Sequence, residues 1–322
     1  MTVLERYTKA GSDMISITML ILPFLLRSSA FFASQRAFQS FMTNSLVAHD
    51  PPSIASLVDR SQRLRQKLYG TGIPSFISET NQLAYPSSSY MMGPDPKSKE
   101  TNSVSRGFCN WLLPNAIMIG QYPGMTPESN GPSQKECNIH IENMVSDANI
   151  TLFCCLQSEV PCQLDDASWA SDVYLEPYYR REFPRPFTRY STIAQALTDR
   201  TIRFIHNPIE DLSVPSCNDS LLNLLSQLIE HFEADEGDNA IYVHCWGGRG
   251  RAGLIGSCLV SLIFPELRAD QVLDLIQKAY STRAGADSMP LGLRRSPQTE
   301  QQQLFVKEFV TLVQSERRNV NM

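Results

Sequence analysis

The sequence predicts an α/β domain in which helices flank a central, mainly parallel β-sheet. From about residue 106 onward, short strand-like apolar segments alternate with segments of helical periodicity. Such alternation is typical of layered α/β folds. The chain has 322 residues and 42% hydrophobic content, which is ordinary for a globular protein with a sizeable core.

The composition excludes several classes of protein. A formal net charge of −5 gives no general basic field that would draw the chain to nucleic acid or to an anionic membrane. Eight cysteines are too few for a disulfide scaffold in a chain of this length, so we expect most of them to be reduced and buried. The absence of any CxxC pair and the presence of only five histidines argue against structural zinc, and no cofactor is expected.

Residues 1–50 are predicted to be a targeting segment. The uncharged apolar run "ISITMLILPFLL" (Ile15–Leu26) has 12 residues, which is short for a bilayer span of ~20 residues and suits a signal peptide. The serine-rich stretch after it has one arginine and no acidic residue up to His49, and its "SSAFFAS" resembles the cleavage motif in bipartite presequences of algae with secondary plastids. We therefore expect secretory or plastid targeting from residues 15–45 and no stable membrane span in the mature chain. The alternatives are a cytoplasmic location, a buried helix or a membrane anchor.

Residues 51–105 are predicted to hold a basic helix and a linker. Apolar residues recur at helical spacing between Ser53, a possible N-cap, and Gly70. Four basic residues from Arg60 to Lys67 are expected on a solvated face. The stretch from Tyr85 to Ser105 is rich in Ser, Pro and Gly, which is typical of a linker. The third predicted domain, residues 106–322, contains the alternating segments.

Four segments of this domain have the pattern of short strands. They are "NAIMIGQYP", "NITLFCCL", "TIRFIHNPI" and "AIYV". Helices are predicted between and after them. One begins with a capping-box-like Ser216 and Asp219, and one, "AGLIGSCLVSLIF", is apolar on nearly every side and ends at Pro265.

Two more helices are predicted toward the C-terminus. The segment "ADQVLDLIQKAY" is amphipathic. The last helix is predicted to have Ser296 as N-cap and Pro297 at its first position. Four apolar residues are expected on its inner face: Leu304, Phe305, Phe309 and Leu312.

The stretch "YVHCWGGRGRAGLIG" (residues 242–256) combines a strand end, a glycine-rich turn and a helix start. Glycines allow successive backbone N–H groups to turn toward one point, the helix N-terminus adds partial positive charge, and an arginine offers a planar fork for two oxygens. This combination favours binding of a phosphate dianion. Since GxxxxGK[ST] is absent, the turn is not a nucleotide-binding phosphate loop.

Cys245 suggests the chemistry of this turn. A thiol that faces several N–H donors, a helix N-terminus and Arg251 is expected to be present as a nucleophilic thiolate. A thiolate at the base of a phosphate cradle is placed for in-line attack on phosphorus, which would give a cysteinyl-phosphate that water hydrolyses. A buried cysteine before a tight turn, the alternative, would explain neither the arginine nor the glycines.

His244 and Cys245, followed by five residues and Arg251, resemble the signature of cysteine-dependent protein tyrosine and dual-specificity phosphatases. The resemblance spans about residues 106–313 and implies the fold of the dual-specificity type. It implies that Cys245 is the nucleophile, that Arg251 binds phosphate and that His244 tunes the thiolate. The phosphate-binding residues would be Trp246, Gly247, Gly248, Arg249, Gly250 and Arg251.

The resemblance also implies a general acid and a water-orienting glutamine. In "FIHNPIEDLSVP", Asp211 occupies the place of the family's acid, with Glu210 as its competitor. In "QTEQQQLF", the resemblance assigns the orientation of the hydrolytic water to Gln302, with Gln298 as a second candidate. A solvated loop carboxylate and a polar helix face are the respective alternatives.

The sequence departs from the family pattern at Ala252, where members usually carry a Ser or Thr whose hydroxyl contacts the cysteine sulfur. Loss of that donor is expected to slow hydrolysis of the cysteinyl-phosphate more than its formation. Plant glucan phosphatases also have alanine there, so the alanine does not imply an inactive site. Trp246 is unusual too, and is expected either to pack the loop or to wall the pocket. The arginine-rich, aromatic segment "YYRREFPRPFTRY" (residues 178–190) is either a recruiting patch for an acidic substrate or a covering loop.

The predicted activity is hydrolysis of phosphomonoesters, on phosphotyrosine, phosphoserine or phosphothreonine in proteins. No phosphotyrosine-recognition loop of the deep-pocket type is found, which favours a shallower pocket. The alternatives are a slow or inactive pseudophosphatase that binds phosphorylated partners, a phosphoglucan or phosphoinositide phosphatase, and a thiol-transfer enzyme. Redox control is a further hypothesis, with Cys154, Cys155 or Cys258 as resolving thiol, and the alternative is that each is a small buried apolar residue.

Overall fold

The structure is a computed structural model that describes residues 51–70, 72–85, 88–94, 102–160, 183, 185–234 and 239–320. The predicted targeting segment, residues 1–50, lies outside the described residues. No helix within the described ranges is long and apolar enough to cross a membrane.

The strands form a five-stranded sheet and a separate hairpin. They are β1 (Ser89–Met92), β2 (Val104–Gly107), β3 (Cys109–Leu113), β4 (Ile117–Gly120), β5 (Ile150–Gln157), β6 (Arg203–Ile209) and β7 (Ala240–His244). The order in the main sheet is β3-β4-β7-β5-β6. Strand β3 pairs antiparallel with β4. Strands β4, β7, β5 and β6 all run parallel to one another. The predicted α/β class with a central, mainly parallel sheet is confirmed.

Helices cover both faces of this sheet. They are α1 (Ile54–Tyr69), α2 (Gln134–Glu142), α3 (Ser191–Ala196), α4 (Asn218–Glu233), α5 (Arg251–Ile263), α6 (Ala269–Ser281) and α7 (Glu300–Val320). One core cluster contains residues of α1, α4, α5, α6 and α7, and the other contains residues of α2 and α3. Alternate residues of β7, such as Val243 and Tyr242, enter opposite clusters because successive strand side chains point to opposite faces.

The central helix α5 positions the glycine-rich turn at its N-terminus. Every residue of α5 is buried, as its nearly continuous apolar sequence predicts. Gly256 lies against the sheet, where an added Cβ would stand 2.7 Å from the side chain of Leu112. The turn between β7 and α5 is therefore anchored at both ends in the core.

Helix α1 begins and ends as predicted, but its basic face is not simply solvated. The Ser53 hydroxyl accepts a hydrogen bond from the Ser56 N–H. Arg60 forms an ion pair with Glu233 at 2.6 Å, and its side chain is only 18% exposed. Arg65 pairs with Glu266 in the same way. These arginines attach α1 to the rest of the domain, because Glu233 is the last residue of α4 and Glu266 lies just after the end of α5.

Part of the predicted linker is a β-hairpin. Strand β1 pairs antiparallel with β2, and Tyr90 lies opposite Arg106 in that ladder. The linker prediction is wrong for these residues because two four-residue strands with polar neighbours give almost no periodic signal.

Two predicted helix starts are also wrong. Cys217, not Ser216, caps α4, since its side chain accepts from the Ser220 N–H. Helix α7 begins at Glu300, and the Thr299 hydroxyl accepts from the Gln302 N–H at 3.1 Å. The inner face of α7 differs as well: Leu304 and Leu312 are exposed, and the buried apolar residues are Val306, Phe309, Val310 and Val313, with Phe305 partly buried.

Candidate active site

The glycine-rich turn connects the centre of the sheet to the start of α5. Strand β7 ends at His244, and α5 begins at Arg251. Gly248 has a φ of 67°, and an added Cβ would lie 2.0 Å from the backbone carbon of Gly120. Only glycine meets both conditions, because the left-handed conformation and the close backbone approach each exclude a side chain.

The carbonyl groups of the turn are held by donors from other elements. The Arg283 guanidinium donates to the Gly248 oxygen at 2.7 Å and to the Gly247 oxygen at 3.4 Å. The Ser296 hydroxyl donates to the Arg249 oxygen at 2.8 Å, which gives Ser296 a role other than the predicted N-cap.

The N–H groups from Gly247 to Gly250, by contrast, have no acceptor among the described residues. Within the described residues, no hydrogen bond uses the N–H of Gly247, Gly248, Arg249 or Gly250 as donor. Unpaired N–H groups beside a helix N-terminus form the kind of site that binds an anion.

Three residues that the sequence analysis singled out line one cavity of about 520 Å³: Cys245, Arg251 and Asp211. The volume is in the range of small-ligand pockets. Cys245 is only 3% exposed, and it lies at the carboxyl end of β7. The crevice at the carboxyl ends of parallel strands is the usual ligand site in open α/β sheets.

The terminal nitrogens of Arg251 contact two carboxylates and a carbonyl, and its Nε has no hydrogen-bond partner among the described residues. Its terminal nitrogens donate to both oxygens of Glu159 at 2.6 Å and to the Ile209 oxygen at 3.1 Å. An oxygen of Asp211 lies 3.1 Å from the same guanidinium. Burial lowers the pKa of Arg251, but the nearby carboxylates, Glu159 first, outweigh burial and hold it above its usual value. Arg251 is therefore a permanent cation in the cavity.

The sequence analysis missed Glu159. Its side chain is fully buried and follows β5, the neighbour of β7 in the sheet. A signal was available, because a carboxylate just after the carboxyl end of a buried parallel strand lies at the edge where ligands bind. The sequence alone does not reveal that β5 and β7 are neighbours, so it does not place Glu159 near Arg251.

Asp211 and Glu210 occupy different places in the loop after β6. Asp211 lines the cavity, and its side chain is 51% exposed. Glu210 is exposed and does not line it. Leu212, the next residue, has a φ of 63°, which is uncommon for a residue with a branched side chain. The loop geometry thus separates the two candidate acids.

The two candidate glutamines also differ in place. Gln302 is fully buried. Its oxygen accepts from the N–H groups of Gln298 and Thr299, both at 3.1 Å, and its nitrogen donates to the Ser213 oxygen at 2.9 Å. Gln298 lines the cavity, and its oxygen accepts from Arg249 at 3.2 Å. Gln302 therefore ties α7 to the loop of Asp211, and Gln298 is the glutamine that faces the cavity.

His244 is a neutral residue of the core at the end of β7. It is fully buried, and its Nε2 lies 2.8 Å from the Tyr190 hydroxyl. Burial, followed by the field of His206, lowers the pKa of His244 to about 3. The imidazole is therefore uncharged at neutral pH, so it holds the strand end by hydrogen bonding and not by its charge.

Trp246 both packs the turn and lines the cavity. Its ring contacts Phe183 and Phe187, with centroid distances of 5.3 and 5.0 Å, and its N–H donates to Glu128. The described part of the arginine-rich segment thus lies against the turn. Arg185, in that segment, donates to the Thr126 oxygen at 3.0 Å. Residues 178–182 and 184 lie outside the described residues.

Arg283 is a second buried arginine that the sequence analysis missed. Besides the turn carbonyls, it donates to Asn110 Oδ1 at 2.6 Å and to the Ile119 oxygen at 3.0 Å. It is 7% exposed, and burial lowers its pKa. No carboxylate pairs with it in the part of the chain that the structure describes. Nothing in the sequence near Arg283 marks it.

The described cysteines are all free. Cys154, Cys155 and Cys258 are fully buried, and burial raises the pKa of each thiol above its usual value, to about 12 for Cys155. Cys217 is exposed. The described thiols thus fit the expected reduced state.

Comparison with known proteins adds a family match. Residues 186–306 match the family model described as "PTP-SAK: Swiss Army Knife protein, DSP-PTPase phosphatase domain". A search of curated proteins gave no match.

Several solved phosphatase structures are similar at low identity. KAP, the kinase associated phosphatase, is 14% identical over 66% of this chain and 98% of its own, with a TM-score of 0.43. PTPN18 is 14% identical over 82% of this chain and 95% of its own, with a TM-score of 0.40. PTPMT1 in complex with PI(5)P is 14% identical over 63% of this chain and 95% of its own, with a TM-score of 0.37.

The matched segment contains β6, β7, α5 and the start of α7, and with them Asp211, Cys245 and Arg251. Glu159 precedes it. The strand order confirms the α/β fold with a central, mainly parallel sheet that the sequence predicts. The matched segment is similar to the phosphatase domain that the family model describes.

Proposed function

We propose that the chain hydrolyses phosphomonoesters on proteins through a cysteinyl-phosphate intermediate, with Cys245 as nucleophile, Arg251 as phosphate ligand and Asp211 as general acid. One observation carries the proposal. These three residues line a single cavity, beside a turn in which the N–H groups of Gly247, Gly248, Arg249 and Gly250 have no acceptor among the described residues. A nucleophile, an anion cradle and an acid in one cavity are the parts that phosphoryl transfer requires.

In the first step, the Cys245 thiolate attacks phosphorus and forms an S–P bond. The bond between phosphorus and the ester oxygen breaks, and protonated Asp211 gives its proton to the leaving oxygen. The free N–H groups of the turn and the Arg251 fork hold the equatorial oxygens, where negative charge is spread in the transition state.

In the second step, water attacks phosphorus, the S–P bond breaks, and phosphate leaves. Asp211, now a carboxylate, accepts the proton of that water. Gln298 faces the cavity, so we assign orientation of the water to Gln298, whereas Gln302 positions the acid loop through Ser213. Ala252 supplies no hydroxyl to the sulfur as it leaves.

Substrate binding is expected to rearrange the ion pairs of Arg251. In the structure the guanidinium pairs with both Glu159 and Asp211. A phosphate dianion would compete with the half-exposed Asp211 and not with the buried Glu159, since the exposed carboxylate is the easier one to displace. Displacement would release Asp211 toward the leaving oxygen.

The cavity supports a substrate larger than phosphate alone. Tyr90, Phe183 and Trp246 contribute to its walls, and aromatic walls suit the ring of a phosphotyrosine or another aryl phosphate. Activity on a phosphotyrosine peptide would be compared with activity on four other substrate classes: phosphoserine, phosphothreonine, phosphoglucan and phosphoinositide.

The test is release of phosphate from a small aryl phosphate at pH 5 to 8 with EDTA present. Wild type is compared with Cys245→Ser and Asp211→Asn, and the matched controls are Cys217→Ser, an exposed cysteine, and Glu210→Gln, the neighbouring carboxylate. We expect turnover to persist in EDTA, to vanish in Cys245→Ser and to fall about 10²- to 10⁴-fold in Asp211→Asn. The proposal would be refuted if the control variants lost as much turnover as the active-site variants. It would also be refuted if wild type released phosphate no faster than Cys245→Ser.

A second candidate function is binding of phosphorylated partners without turnover, and Ala252 is the observation that favours it. A binder would retain affinity for phosphotyrosine peptides, would release no phosphate at high protein concentration and would lose binding in Arg251→Met. Any Cys245-dependent turnover would exclude this alternative.

A further inference from the structure

The cavity of Cys245 extends to the β1–β2 hairpin. Tyr90 and Met92 of β1 and Arg106 and Gly107 of β2 are among the lining residues. The hairpin is separate from the main sheet, so this part of the wall is not needed to hold the phosphate. It is in position to contact the rest of a substrate.

Arg106 is a buried cation without a counter-ion. It is 7% exposed, one terminal nitrogen donates to the Gly285 oxygen, and its Nε has no hydrogen-bond partner. No carboxylate pairs with it among the described residues. Buried arginines are ordinarily paired, because burial of an unpaired charge is costly.

Gln121 is a second lining residue with an unsatisfied donor. The Nε2 of Gln121 is buried and has no partner. Its Oε1 accepts from the Tyr90 hydroxyl at 3.4 Å, and Tyr90 lies opposite Arg106 in the hairpin. The side chains of Arg106 and Gln121 both line the cavity. Two donors without acceptors, on cavity residues that both neighbour Tyr90, indicate the place of a ligand acceptor group.

The charges around the cavity favour an anion at this place. The described lining residues include four arginines and two carboxylates: Arg106, Arg249, Arg251, Arg283, Glu128 and Asp211. Asp211 is paired with Arg251. Glu128 opposes an anion: one of its oxygens accepts from Trp246, and its other oxygen is buried without a hydrogen-bond partner among the described residues. Among the described residues, Arg106, Arg249 and Arg283 have only neutral hydrogen-bond partners, so positive charge is in excess.

We infer that Arg106 and Gln121 form a second anion subsite in the cavity of Cys245, and that the substrate carries a second anionic group besides the phosphate that reacts. The inference rests on the proposed function, since the first subsite is the turn of Cys245. Either a phosphate or a carboxylate has the required chemistry, because both accept charged hydrogen bonds from a guanidinium.

The test is calorimetric binding of non-hydrolysable arylphosphonates to the full chain. The probes are phenylphosphonate and its 4-carbamoyl, 4-carboxy and 4-phosphono derivatives, which have a neutral group, a carboxylate or a second phosphonate in the same place. Wild type is compared with Arg106→Met, Arg106→Lys and Gln121→Met. Arg63→Met, an exposed arginine of α1, is the control for loss of one positive charge.

We expect an anionic derivative to bind wild type and Arg63→Met about tenfold more tightly than the 4-carbamoyl compound, as one charged hydrogen-bonded contact implies. In Arg106→Met the ratio of these two affinities should fall to about one. In Arg106→Lys and Gln121→Met it should fall to a value between about one and about ten. The preferred derivative identifies phosphate or carboxylate as the second group. The Gln121 variant keeps the test decisive if Arg106→Met does not fold.

A ratio near one in wild type, or a ratio that survives in both Arg106→Met and Gln121→Met, would overturn the inference and leave the proposed function intact. If no phosphonate bound and no aryl phosphate were hydrolysed, the proposed function would fail, and the second subsite with it.

Discussion

Arg251 and Glu159 form a buried, bidentate ion pair in which both N–O distances are 2.6 Å. Glu159 is fully buried, and the Arg251 side chain is only 2% exposed. The pair fixes the plane of the guanidinium at the edge of the cavity, so Glu159 is a positioning residue for the arginine that we assign to phosphate.

Glu159→Gln is expected to lower both stability and activity. The substitution leaves a buried arginine without its main counter-ion, which costs about 3 kcal/mol of unfolding free energy. Urea unfolding measures this loss, and the KM for aryl phosphate should rise as the guanidinium loses its orientation. Glu266→Gln is the matched control because it removes a carboxylate that is 26% exposed, whereas Glu159 is fully buried, so it should cost less than Glu159→Gln. Equal effects of the two variants would contradict the positioning role.

Arg283→Met is expected to weaken phosphate binding. Without the guanidinium, the carbonyls of Gly247 and Gly248 lose their donors, and the turn is free to rotate its N–H groups away from the anion. The inhibition constant of inorganic phosphate should rise about tenfold. Arg283→Lys, which keeps the charge but offers a single nitrogen, should be intermediate. An unchanged constant in Arg283→Met would show that the turn keeps its shape without this arginine.

The unfolding free energy is expected to decrease as the pH is lowered, because of His140. Its ring stacks on Phe108 with a centroid distance of 4.1 Å, and neither ring nitrogen has a hydrogen-bond partner. Burial, with a smaller effect from Arg283, lowers the pKa of His140 to about 3, against about 6.5 in an unfolded chain. Between these values the unfolded state binds a proton that the folded state does not, so stability is lost as pH falls from 6.5 toward 3.

His140→Phe removes this proton-linked loss. Between pH 7 and pH 5, wild type should lose about 2 kcal/mol more than the variant, at up to about 1.4 kcal/mol per pH unit. Urea unfolding at the two pH values measures the difference. Identical losses in both proteins would mean that His140 is protonated in the folded state.

Ala252→Ser is expected to speed breakdown of the phosphoenzyme. Ala252 lies fully buried at the start of α5, and a hydroxyl there would stabilise the Cys245 sulfur as it leaves. Rapid-mixing kinetics on an aryl phosphate should show a burst in wild type, and a smaller burst with a steady rate about tenfold higher in the variant. A steady rate that does not rise would place the slow step elsewhere.

The fold and the central turn could be predicted because their signals are local. Alternating strand and helix periods mark the sheet and the buried helix, and the spacing of Cys245 and Arg251 marks the turn. Glu159, Arg106 and Arg283 could not be found in this way. Each reaches the site through the order of the strands or through a contact between elements more than 30 residues apart.

Helix ends were predicted less well than helix interiors. Ser296 and Thr299 are both reasonable N-caps by residue type, and only the hydrogen bond of Ser296 to the turn distinguishes them. The hairpin gives almost no signal in the sequence because each of its strands has only four residues and depends on the partner strand.

Trapping of the phosphoenzyme tests the central claim most directly. Wild type and Ala252→Ser would be mixed with an aryl phosphate labelled on phosphorus and quenched with acid within milliseconds, and the protein would then be digested. The account predicts label on the peptide that contains Cys245, more of it in wild type than in Ala252→Ser, and none in Cys245→Ser. Turnover without label on that peptide, or with label on another residue, would contradict the account.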